Sequence, residues 1–175
     1  DLPKCAQVCR EWRRACSHRS LWNNLNLAGA QNAGRCLDCL ITQPRCTKLT
    51  EINLEFAQGI EDRHIEAITR LELTSLTSLN LNACQNVSDK AIGSLLEGVS
   101  GPFLRKLHLY WNLRVNDQTL EQIGRRCSQL TDLNLSGCKR ISNQGLMSLA
   151  QGVPKLLSLN ITSCYQVRDA GVVAV

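Results

Sequence analysis

The sequence predicts an α/β solenoid, a right-handed stack of six strand-plus-helix repeats, and three observations carry that reading. The pattern apolar-x-x-[Leu/Ile]-x-[Leu/Ile] returns six times, starting at Trp22, Leu49, Leu76, Leu104, Leu130 and Leu156, with spacings of 27, 27, 28, 26 and 26 residues. Eight residues after each start (position +8) stand Ala30, Ala57, Cys84, Asn112, Cys138 and Cys164, where the pattern wants a small residue turned inward as the strand ends. At +11 in the last five units stand Ile60, Val87, Val115, Ile141 and Val167. This is the register of leucine-rich repeats, whose units cannot bury their apolar faces alone and therefore stack.

Each unit opens on a short strand. Side chains alternate along a strand, so if +3 and +5 point into the core, +2, +4 and +6 point out. The outward +4 row reads Asn26, Asn53, Asn80, His108, Asn134 and Asn160. Two readings stand for it: an amide ladder between strands about 4.8 Å apart, or a polar floor for a partner. After the +11 residue come Glu61-Asp62, Ser88-Asp89, Asn116-Asp117, Ser142-Asn143 and Arg168-Asp169. These are mostly short polar side chains able to cap a helix that begins there. The pairs Ile65/Ile68, Ile92/Leu95, Leu120/Ile123 and Leu146/Leu149 then give each helix an apolar stripe to lay against the strands. In the first unit, Leu37, Leu40 and Ile41 fit only if its loop is one residue shorter.

Composition agrees with one elongated domain. Aromatics make up 4% of the 175 residues, as narrow layers of Leu, Ile, Val and Cys require. The net charge is +5, but Lys and Arg are scattered in pairs such as Arg13-Arg14, Arg125-Arg126 and Lys139-Arg140, so no nucleic-acid partner is expected. No stretch approaches the roughly 18 apolar residues of a membrane span, and no membrane association is expected. The start on Asp1 and the stop at Val175, within the sixth unit's helix, suggest a piece of a longer protein.

Ten cysteines raise the question of disulfides or metal. Cys84, Cys138 and Cys164 fall at +8, while Cys46 and Cys127 each stand three residues before a new unit, so the register places all five as small buried hydrophobes in a reducing compartment, cytoplasmic or nuclear. Cys36-Leu-Asp-Cys39 is a lone CxxC without a second pair at ligand spacing, and neither metal nor cofactor is expected. Asn86, Asn134 and Asn160 head N-x-[ST] sequons, but two lie mid-strand and free cysteines argue against secretion. Phosphate loops, GxSxG and HExxH are absent, and His18, His64 and His108 sit in different layers, so the chain reads as no enzyme.

Residues 1–21 lie outside the repeats. Cys5, Cys9, Trp12 and Cys16 share one helical face, and a polar break precedes Leu21-Trp22. Val8-Cys9-Arg10-Glu11-Trp12 followed by Leu21-Trp22 resembles the closing half of an F-box, and repeats with Cys at the strand end resemble the cysteine-containing class of F-box leucine-rich-repeat proteins; the phrases over 51–59, 109–115 and 132–139 resemble plant members in particular. The resemblance implies a C-terminal F-box half at 1–21, a solenoid over 22–175, and Val8, Cys9, Trp12, Leu21 and Trp22 as adaptor-facing or F-box core residues. It also implies a substrate receptor of an SCF-type ubiquitin ligase, docked on adaptor and cullin through a complete F-box and acting by proximity alone. The opening Leu-Pro-x-Glu segment of an F-box is missing here.

A partner-binding patch is expected where the Asn row breaks. Lys106, His108, Tyr110 and Trp111 combine cationic and aromatic groups on an outward face, with Phe56 and Tyr165 at strand ends and Asn80 and Asn134 on the floor. Loop packing is the competing reading of these aromatics. The rival function is a repeat scaffold or capping inhibitor without any link to ubiquitin.

Overall fold

The computed structural model describes residues 9–11, 22–41, 44–98 and 100–173. Its centre is a six-stranded parallel sheet in sequential order: β1 (Asn24–Asn26), β2 (Glu51–Asn53), β3 (Ser78–Asn80), β4 (Lys106–His108), β5 (Asp132–Asn134) and β6 (Ser158–Asn160). Each strand occupies +2 to +4 of its repeat, and like positions pair throughout: Asn53 with Asn80, Asn80 with His108, His108 with Asn134. The returning helices are α1 (Ala33–Ile41), α2 (Asp62–Arg70), α3 (Asp89–Glu97), α4 (Asp117–Arg126), α5 (Asn143–Ala150) and α6 (Asp169–Val172). Parallel neighbours need such a crossover, and the repeat supplies one in every unit.

The core is a row of layers between strands and helices. Leu25, Ile52, Leu79, Leu107 and Leu133 at +3 and Leu54, Leu81, Leu109 and Leu135 at +5 are buried, as are the helical pairs from Ile65/Ile68 to Leu146/Leu149. In the first unit Leu37 is buried at +15, one position earlier than Ile65, Ile92, Leu120 and Leu146, in line with its shorter loop. Cys46 and Cys127 are buried, while Cys36 and Cys39 are both exposed.

Helix starts fall where the short polar pairs stand. Ser88, Asn116 and Ser142 are N-caps whose side chains accept from backbone N–H groups of the first turn. The acid after the cap works across units. Asp62 accepts from the N–H and Oγ of Ser88 at 2.7 and 2.8 Å, and Asp117 does the same for Ser142 at 2.7 and 2.6 Å. Asp89 takes the Nδ2 of Asn116, and Asn143 replaces the acid opposite the Arg168 N–H. From α2 to α5 each helix start thereby positions the cap of the next, and Asp62, Asp89 and Asp117 also favour the positive end of their own helices.

The end of each strand follows one backbone design. The +7 N–H donates to the +6 carbonyl of the next unit, while the +8 N–H turns back to its own +5 carbonyl, closing a four-residue turn. Its third residue is left-handed in all six units: Gly29, Phe56, Ala83, Trp111, Gly137 and Ser163 have φ of 67°, 51°, 58°, 56°, 75° and 59°. Glycine suits that region, and an L side chain there costs about 1–2 kcal/mol. Where the +8 residue is Cys or Asn, its side chain enters the core and donates to the +5 carbonyl of the preceding unit. Cys84, Cys138 and Cys164 do so with their thiols at 3.1–3.2 Å, and Asn112 does so with Nδ2 at 2.9 Å. The cysteines are thus donors as well as small hydrophobes. Burial pushes the Cys84, Cys127 and Cys138 thiols up to about 12.

The outward alternation ends sooner than expected. At +6, Asn82 and Ser136 are buried rather than outward, because the chain has left the pleated strand and entered the turn.

Candidate functional site

The +4 asparagines do not form an amide ladder. Among the described residues no side-chain hydrogen bond joins one to the next; each Oδ1 instead accepts the N–H two residues ahead at 2.9–3.0 Å, from Ala28, Glu55, Asn82, Ser136 and Thr162 in turn. Asn and Asp bind their own backbone in this way readily, which leads the strand into its turn. The row is therefore local turn chemistry repeated five times, and Asn80 and Asn134 have their acceptors committed to it.

His108 makes no such cap. The Tyr110 N–H donates at 2.8 Å to Asn82 Oδ1 of the preceding unit. Asn82 is held in turn by Nδ2 on Glu55 Oε1, and Asn80 Nδ2 reaches Glu55 Oε2, at 3.1 and 3.3 Å. The imidazole sits half-buried with Nε2 3.5 Å from Asp132 Oδ1 on the next strand, and Nε2 is shielded from solvent. Break and network together fix the backbone that carries the aromatics.

Phe56, Tyr110 and Trp111 form one cluster. The Phe56 and Tyr110 rings meet edge-on with centroids 6.4 Å apart, and Tyr110 and Trp111 lie 6.3 Å apart at 42°. Phe56 is 49% and Trp111 43% exposed, large values for side chains of this size. Lys106 is exposed on β4, at the margin of a shallow concavity of about 360 Å³ that Arg105, Glu51 and the +4 residues also line. The arrangement offers preorganised aromatic area beside cationic and amide groups, which is the chemistry of macromolecular recognition.

Comparison with known proteins places this surface in context. Residues 1–28 match the F-box-like family and residues 126–150 match the leucine-rich repeat family. The chain joins an F-box-like segment to leucine-rich repeats. A solved chain from the crystal structure of the Rad7 and Elc1 complex in yeast is similar in fold, with a TM-score of 0.51 at 14% sequence identity over 99% of this chain. This chain spans 61% of the length of that one.

Of the F-box residues, Val8, Trp12 and Leu21 lie outside the described residues. Cys9 is exposed, and Trp22 is buried at the head of the first repeat. On the repeats, Phe56, Tyr110 and Trp111 form one cluster, while Lys106 and His108 line the shallow concavity instead, and Tyr165 joins neither: it stands four units from Phe56 at the far end, 71% exposed. Glu55 and Asn82 were missed as supports. Their signal was their place at +6, one step before the left-handed residue.

Proposed function

We propose that this chain is the substrate-recognition subunit of an SCF-type ubiquitin ligase, non-catalytic itself, with the repeats holding a protein target. The observation that carries the reading is the union of an F-box-like segment with a repeat array whose aromatic cluster is exposed and braced. The F-box-like segment would contact the adaptor and, through it, the cullin; the solenoid over 22–175 would present the target to a conjugating enzyme, with rate gained by proximity. Among the described residues, the buried thiols of Cys84, Cys127, Cys138 and Cys164 suit work in the reducing cytoplasm or nucleus.

The test is capture of adaptor and cullin by the full-length protein, run beside capture of its targets. Replacing Lys106, His108, Tyr110 and Trp111 together by Ala should remove roughly 2–4 kcal/mol of target affinity. Adaptor capture should be unchanged, since that surface lies at the other end of the chain. A full-length protein that captures targets but never adaptor or cullin would instead be a plain repeat scaffold.

A further inference from the structure

The left-handed +7 row separates what the fold needs from what it merely carries. Every unit has the same corner, and the residues there are Gly29, Ala83, Gly137 and Ser163 where they are small. Phe56 and Trp111 break that economy. The backbone gains nothing from an aromatic at φ 51° or 56°, and roughly half of each side chain remains in solvent. Strain of this kind persists where the side chain serves something other than the local backbone.

The two aromatics stand two units apart on one edge of the solenoid, on the order of 10 Å at the strand spacing. The Tyr110 ring lies 6.4 and 6.3 Å from theirs, and a hollow of about 340 Å³ lined by both aromatics, with Ala83 as a low floor, is bounded also by Gln58, Gln85 and Asn86. The same edge continues past Trp111 into Leu113, 38% exposed, and into a second hollow lined by Arg114, Lys139 and Arg140. These three cations are exposed, and among the described residues none has a carboxylate within 4 Å; Asp89, which borders the hollow, accepts from Asn116. An apolar slot and an unneutralised cationic cluster therefore adjoin on one edge.

We propose that this edge binds an acidic, extended segment of a protein target, with one apolar side chain in the hollow lined by Phe56 and Trp111 and its carboxylates on Arg114, Lys139 and Arg140. The inference rests on the reading of the repeats as a recognition surface and names the chemistry they select. Charge complementarity identifies the occupant. A nucleic acid is the less fitting ligand, because the three cations form one cluster rather than a track along a strand of phosphates, and the edge also carries Glu55 and Asp89.

The experiment is selection of a random 12-residue phage-displayed peptide library on the 175-residue chain, followed by anisotropy titration of the synthetic consensus peptide. The expected consensus has two or more Asp or Glu beside a single aromatic or Leu. Phe56→Gly/Trp111→Gly, a change the left-handed corners accept, should weaken that peptide at least 30-fold. Arg114→Gln/Lys139→Gln/Arg140→Gln should weaken it at least 10-fold and flatten its salt dependence. Far-ultraviolet circular dichroism and urea midpoints establish that each variant is folded; where the double glycine variant is not, Phe56→Ser alone is used. A neutral or basic consensus, or an acidic one indifferent to both variants, would overturn the proposal. So would a dT20 oligonucleotide that binds as tightly as the peptide and competes with it. Adaptor capture is scored separately, so its failure would sink the ligase reading and leave the peptide result standing.

Discussion

Asn112 is the repeat position where sequence and layer are least well matched, and replacing it tests the account of the +8 row. Its side chain is 1% exposed; Nδ2 donates to Leu81 O at 2.9 Å, but Oδ1 is buried with no hydrogen-bond partner. The equivalent Cys84, Cys138 and Cys164 offer one donor to the same carbonyl position and leave no acceptor stranded. A buried unsatisfied polar atom costs about 1–3 kcal/mol, and exchanging an amide donor for a thiol gives back about 0.5–1 kcal/mol. Asn112→Cys should therefore stabilise the chain by about 0.5–2 kcal/mol, or about 1–6 °C in Tm for a protein of this size. The Leu81 carbonyl is not orphaned by the change, because it also accepts the Cys84 N–H at 3.1 Å. Asn112→Asp should act oppositely and lose 3 kcal/mol or more, since it buries a charge and removes the donor. Urea unfolding followed by circular dichroism, with m-values compared to confirm equivalent transitions, gives both numbers. A destabilised Asn112→Cys would mean that Oδ1 is satisfied in solution, and the donor-only account of the row would fail.

Three further outcomes are expected. At pH 8 Cys138→Ala should cost about 1–2 kcal/mol, for lost packing and the lost bond to Leu109 O. Because burial raises the folded thiol from 9.0 to about 12, the neutral form is favoured by folding: its stabilisation is complete below pH 9 and is lost between 9 and 12. The wild type should therefore forfeit about 1.4 kcal/mol relative to Cys138→Ala by pH 10, and a gap that stays constant from pH 8 to 10 would contradict a buried thiol. At the left-handed corners, Gly29→Ala meets nothing within 4 Å, so its expected loss of about 1 kcal/mol is backbone strain alone; Ser163→Gly should gain a similar amount, and urea midpoints moving in the same direction would refute the row. Asp117→Ala should cost about 1–2 kcal/mol by freeing the Ser142 N–H and Oγ, with amide exchange rising at the start of α5 rather than of α4 if the acid serves the next unit.

How much of this was legible beforehand depended on whether a feature is periodic in residue type. Strand positions, the buried +3 and +5 rows, the helix stripes and the caps at Ser88, Asn116 and Ser142 followed from the repeat alone, because burial and capping select residue classes directly. The patch around Tyr110 was legible for a related reason: aromatics are scarce in this chain, and a break in a regular row draws the eye to them.

Hydrogen-bond partners were another matter. An Asn repeated every 26 to 28 residues is compatible with bonds along the ladder or with bonds to its own chain, and only the turn after +4 decides that Oδ1 meets the N–H two residues on. The left-handed corner was hidden because Phe56 and Trp111 occupy it as well as Gly29 and Gly137, so residue type does not betray φ. The reach of Asp62 and Asp117 to the next unit's cap, and of each +8 donor to the previous unit's carbonyl, joins residues 25 to 31 apart. The sequence by itself determined which residues each layer buries, since that follows from side-chain chemistry and period. Tertiary structure decided what the polar atoms bind and where the aromatic edge opens, since both depend on the distance and offset between stacked units, which exist only once the layers have assembled.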